Sequence, residues 1–120
     1  MSKLILFLRL VFGLFFVFAG IMHFVKPKIF NRFIPKPLPK LIINYIAGFF
    51  ELAIGIGLIF TNTSKKAAAG MFFLMLIFFP IHIWDLFREK PAIGSKKLAI
   101  IRAPLQFLLL YIAYLIYKHS

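Results

Sequence analysis

The sequence predicts an all-α integral membrane protein, a four-helix bundle in which each helix crosses the bilayer. Composition, the spacing of apolar runs and the placement of charge all point there. Of the 120 residues, 62% are hydrophobic, 17 are Phe, and the mean hydropathy is +0.96. Soluble domains hold roughly 45–50% apolar residues. Too few polar side chains remain here to coat a globule, so lipid is the natural solvent. Four apolar runs each approach the ~20 residues a helix needs to span ~30 Å of hydrocarbon. The cations gather mainly between these runs.

The predicted helices are about 4–25, 41–60, 67–84 and 98–117, within one transmembrane domain spanning 1–120. Leu4–Val25 is broken only by Arg9 and His23. Lys3 precedes an apolar core, as in a signal peptide, but Ala19-Gly20-Ile21 is a poor cleavage site and the run continues to Val25. It is read as a membrane helix. Lys26–Lys40 follows, with Pro27, Pro35, Pro37 and Pro39. Proline fixes φ, so this link is expected to be stiff. Leu41–Phe60 carries Asn44 and Glu51; Thr61–Lys66 is a tight polar turn. Ala67–Trp84 carries His82, and Asp85–Lys97 is a link of mixed charge with Pro91 and Gly94. Leu98–Tyr117 carries Arg102 and Gln106. Strands are excluded, since lipid admits only closed barrels and no run alternates with period two.

A net charge of +12 on a soluble face would suggest nucleic acid. On links between apolar runs it suggests the anionic headgroups of a lipid bilayer, and no nucleic acid is expected. Short links force neighbouring helices antiparallel. The first and third links then share one face with nine cations: Lys26, Lys28, Arg32, Lys36, Lys40, Arg88, Lys90, Lys96 and Lys97. The termini and second link carry four: Lys3, Lys65, Lys66 and Lys118. The positive-inside rule therefore predicts termini outside the cytoplasm. The chain has no Cys. Disulfides, thiolate nucleophiles and Cys metal sites are excluded, and a redox role would need a bound cofactor or a partner.

Ionisable residues inside a membrane helix are costly and mark candidate sites. Arg9, His23, Glu51, His82 and Arg102 are such residues; Asn44, Asp85 and Gln106 are weaker members. At 100° per residue, Arg9, Gly13, Gly20 and His23 fall within roughly 80°; Asn44, Gly48, Glu51 and Gly55 within roughly 60°; Arg102, Gln106 and Ala113 within roughly 40°. Each stripe mixes polar with small residues, which suits an inward-facing seam. By depth, His23, Glu51, His82 and Arg102 converge on the half of the membrane nearest the first and third links. Arg9–Glu51 is the expected buried ion pair and Arg102–Glu51 the alternative. The plainer readings are assembly for the ion pair, headgroup contact for His23 and His82, and snorkelling for Arg102. Asp85 and Arg88 read as solvated cap or loop charges. The four glycines read as packing residues, and Trp84, Tyr111, Tyr114 and Tyr117 as interfacial anchors. Each His and the Glu stands alone on its helix, so no metal site is expected.

Gly20-Ile-Met-His23-Phe24-Val-Lys-Pro27-Lys-Ile-Phe30, with Ile34-Pro35 and Leu38-Pro39, resembles the first helix end and loop of the DoxX-like family of small four-helix membrane proteins, which has DoxD- and MauE-related members. Tyr45 to Glu51, then Gly55-Ile-Gly57-Leu58, resembles its second helix. Phe79-Pro80-Ile-His82-Ile83 stands at its third-helix Phe-Pro motif, and Arg102-Ala-Pro104-Leu-Gln106 at the start of its fourth. His82 departs from the pattern, where Asn is expected. The resemblance implies a redox-associated protein of a bacterial inner (plasma) membrane, with relatives that are subunits of a thiosulfate:quinone oxidoreductase or are associated with thiol-handling enzymes. For most members no activity is established, so a subunit of a membrane oxidoreductase is expected rather than a stand-alone enzyme, with an oxidoreductase partner or a homo-oligomer as the expected assembly.

Three functions compete on these residues. One is a lipophilic-ligand site, quinone being the candidate cofactor, lined by His23, Glu51, His82, Arg102 and Gln106. A second is a scaffold whose polar seam only holds the bundle. The third is a small transporter or proton pathway through Glu51.

Overall fold

A computed structural model describes residues 3–120. Its four long helices are α1 (Lys3–Val25), α2 (Lys40–Ile59), α3 (Ser64–Leu86) and α4 (Lys96–His119), and a 3-10 helix covers Pro27–Phe33. All four long helices have the length and apolarity of membrane spans. The long dimension, 44 Å, matches a bilayer with its headgroup layers, ~40–45 Å. α3 and α4 run past their apolar runs to take in Ser64–Lys66, Asp85, Leu86, Lys96, Lys97, Lys118 and His119. Polar side chains at a membrane surface do not break a helix whose backbone keeps its own hydrogen bonds.

Proline and glycine punctuate the chain. Pro27 disfavours helical backbone at Lys26, which adopts φ −134° and ψ 65°, and α1 stops there. Pro27 then opens the 3-10 helix, where its missing N–H costs nothing. Ile34, before Pro35, is extended and ends that segment. α4 is capped by Ser95, whose side chain accepts from the Leu98 N–H at 3.2 Å. Gly94 before it has φ +126°, a conformation that favours glycine.

α1 packs along α2 and α3 along α4. The α1–α2 contact is a glycine zipper in which Gly13 faces Gly55 and Gly20 faces Gly48. A Cβ on Gly55 would fall 2.6 Å from the Gly13 carbonyl oxygen, and one on Gly20 2.7 Å from the Leu52 nitrogen. These contacts set the antiparallel register: residue 9 lies opposite 59, and residue 23 opposite 45.

The interior divides by height. Toward the termini it is a dry, apolar core around Leu58, Ala68, Met71, Ala113 and Ile116, all fully buried, with the buried Arg9 at its edge by the end of α2. Toward the first and third links it is polar. Outside, Phe7, Leu14, Phe18, Phe49, Phe73, Ile77 and Phe107 are exposed, as a lipid-facing surface requires.

Candidate functional site: a polar cavity between the helices

A cavity of about 250 Å³ lies at the link end of the bundle. α1 contributes Phe15, Phe16 and His23; α2 contributes Asn44 and Glu51; α3 contributes Phe78, Ile81 and His82; α4 contributes Arg102. Phe30, Phe33 and Ile34 from the first link and Ile93 from the third also line it. His23, Glu51, His82 and Arg102 therefore meet around one space, from four different helices.

His23 is nearly buried, at 6% exposure, and does not sit among headgroups. Its Nδ1 lies 2.8 Å from Asn44 Oδ1. Asn44 is oriented by donating Nδ2 to Asn31 Oδ1 and to the Lys40 carbonyl, both at 3.0 Å. Its oxygen must then accept, so His23 Nδ1 carries hydrogen and Nε2 is turned toward Glu51. Nε2 stands 3.4 Å from Glu51 Oε2, within ion-pair distance, although Oε2 has no hydrogen-bond partner among the described residues. The two side chains thus face each other across the α1–α2 contact.

The expected Arg9–Glu51 ion pair gives way to this His23–Glu51 pair. In the α1–α2 register Glu51 lies opposite Val17, eight residues or about 12 Å from the level of Arg9. Helical side chains lean toward their own N-terminus. In an antiparallel pair that tilts Arg9 and Glu51 apart and tilts His23 and Glu51 together. Arg9 instead donates Nε to the Leu58 carbonyl at 2.9 Å and Nη2 to the Ile59 carbonyl at 3.0 Å, and it also reaches Thr61 Oγ1 at 3.3 Å. The alternative pair, Arg102–Glu51, is also replaced. Among the described residues the ion pairs are His23–Glu51 and Asp85–Arg88.

Arg102 is half-buried and lines the cavity, and its Nη1 is buried with no hydrogen-bond partner among the described residues. A guanidinium N–H without an acceptor is costly in a water-poor interior. His82 faces the edge of Phe33, ring centroids 5.8 Å apart. Gln106 is not a lining residue. It is fully buried and donates Nε2 to the Met75 carbonyl at 2.7 Å, tying α4 to α3. This tie lies next to the carbonyl of Leu76, which loses its helical donor to Pro80.

Asp85, expected to be solvated, is 2% exposed. It accepts from the Ala92 N–H at 2.6 Å and the Ile93 N–H at 3.3 Å, folding the third link so that Ile93 reaches the cavity. Phe30 stacks on the His23 ring at 3.7 Å. Phe30 and Phe33 were missed as site residues. Residues three apart eclipse in a 3-10 helix, so both rings drop from the same side of the first link. Pro27 as a helix-opening signal was the clue.

Residues 12–117 match the family described as a domain of unknown function, DUF8561. The chain belongs to this family. No curated protein and no solved structure matches it. The DUF8561 match takes in every residue around the cavity and begins three residues after Arg9. Among the described residues, no three His, Asp or Glu side chains are grouped as metal ligands.

Proposed function

We propose that the protein holds a lipophilic ligand whose polar head carries an acceptor oxygen, a quinone being the best fit, in this cavity, in the service of a membrane redox system. One observation carries the reading. A buried donor with no hydrogen-bond partner among the described residues, Arg102 Nη1, belongs to a side chain that lines the same aromatic-walled space as the His23–Glu51 pair. Apolar walls with a few polar anchors are what such ligands use. The Arg102 guanidinium on the cavity wall suits an electron-rich oxygen. The volume of about 250 Å³ is below the ~300–1,000 Å³ of sites that engulf a whole drug-sized molecule. It suits a head group whose tail leaves between helices into lipid.

A quinone supplies reversible electron transfer coupled to proton uptake. The chain's part is to donate from Arg102 to a head oxygen, to set the titratable His23–Glu51 pair beside the head, and to exclude water with Phe15, Phe16, Phe30, Phe33 and Phe78. The resemblance to the DoxX-like proteins supports a subunit role beside an oxidoreductase, or in a homo-oligomer, in a bacterial inner membrane. A scaffolding role is the second reading. Arg9, Gln106 and Asn44 each spend their donors on neighbouring backbone or side chains, which is bundle assembly.

Binding of a short-chain quinone analogue to the detergent-purified protein tests the proposal. Glu51→Ala and Arg102→Ala should weaken binding at least tenfold, about 1.4 kcal/mol or more. Lys65→Ala at the far end should leave it unchanged. If wild type binds none, or all three variants bind like wild type, the quinone site is abandoned and the scaffold reading stands.

A further inference from the structure

A second concave surface lies outside the cavity, between the first link, the end of α3 and the third link. It is a groove of about 1040 Å³. Arg32, Lys36, Lys40, Arg88 and Lys90 line it, against the single carboxylate Glu89. Its apolar floor is Pro80, Ile81 and Trp84, from the last two turns of α3. Cations thus ring the rim at headgroup height, and an apolar surface continues toward the hydrocarbon.

The walls are braced. Arg32 donates Nη2 to the Lys90 carbonyl at 2.6 Å, and Arg88 donates Nη1 to the Arg32 carbonyl, so each link holds the other. Arg88 also lies over the Trp84 ring, 4.5 Å from its centroid. A guanidinium has five N–H donors, so both arginines keep donors to spare after these bonds. Lys36 and Lys90 are exposed, and no hydrogen bond or ion pair engages their ammonium groups among the described residues.

We propose that this groove is a binding site for an anionic phospholipid, with the phosphate among the five cations and the glycerol and upper acyl chains along Pro80, Ile81 and Trp84. Charge complementarity selects the occupant. A zwitterionic lipid would bring its own cation among five others, and a soluble anion would leave the apolar floor uncovered. Basic pockets beside membrane helices take acidic headgroups for the same reason. The site stands whether or not the cavity binds a quinone.

Native mass spectrometry of the full-length protein in detergent, titrated with phosphatidylglycerol or with phosphatidylcholine, reads the apparent affinity for each. Phosphatidylglycerol should bind more tightly. The double variant Lys36→Gln/Lys90→Gln should lose roughly thirtyfold of that affinity, since each surface cation contributes about a factor of five. These lysines brace nothing with their ammonium groups, so the fold should survive. Lys65→Gln/Lys66→Gln, equal in charge removed but at the opposite end, should lose little. Glycerol 3-phosphate, offered as a soluble headgroup, should neither bind nor displace the lipid. Equal affinity for the two lipids, equal loss in the two double variants, or displacement by glycerol 3-phosphate would each overturn the assignment.

Discussion

Arg9 is 1% exposed, and its guanidinium caps the end of α2. The last carbonyls of a helix have no intrahelical donor, and the helix dipole makes that end negative. A cation from the neighbouring helix meets both needs at a depth where water does not. Hydrogen bonds to a charged group contribute about 1.5–3 kcal/mol each. Arg9→Met should therefore cost about 3 kcal/mol of stability in detergent, read from unfolding midpoints. Its effect should add to that of Glu51→Gln within about 0.5 kcal/mol, because the two side chains share no partner. His23→Phe and Glu51→Gln should instead be non-additive. A strong Arg9–Glu51 coupling in the same cycle would sink this account of Arg9. The sequence marked Arg9, His23 and Glu51 as costly residues needing partners, but which pairs form depends on side-chain lean and a register that only the packed glycines define.

At the scale of the helix pair, that register is held by close backbone approach. A Cβ on Gly20 meets the Leu52 nitrogen and the Gly48 carbonyl, neither of which can move without shifting a helix. Gly20→Val should destabilise by about 1–3 kcal/mol or more, as overpacking does. Gly70→Ala meets only the Ile54 side chain, at 3.3 Å, and should be far milder. Similar losses for the two variants would mean that the α1–α2 interface has room that the structure denies it. The glycine stripes were legible because spacing at helical period says which residues share a face. The helices were legible from apolar length to within about three residues, and their starts were not, since Lys65, Lys66, Lys96 and Lys97 open helices that hydropathy begins only after them. The 3-10 helix and the folded third link were illegible for a related reason. Their shape comes from Asp85 accepting two link N–H groups and from phenylalanines landing on histidines, which are tertiary facts.

For the whole molecule, the first and third links meet at one end, laced by Arg32 and Arg88, and the termini lie at the other. By the positive-inside rule, the nine-to-four division of cations leads us to propose that the link end faces the cytoplasm. A reporter active only in the cytoplasm should stay silent when fused after Ser120, and strong activity would reverse the orientation without changing the number of spans. The division of the interior into a dry half and a polar half has an electrical consequence. A membrane potential falls most steeply where matter is least polarisable. Here that is the hydrocarbon packing around Met71, Ala113 and Ile116, not the hydrogen-bonding end around Asn44 and Glu51. Moving one charge across a full 100 mV is worth about 2.3 kcal/mol. A charge carried from the link end to Glu51, about 16 Å along α2, would therefore cross less of the voltage than that depth alone suggests.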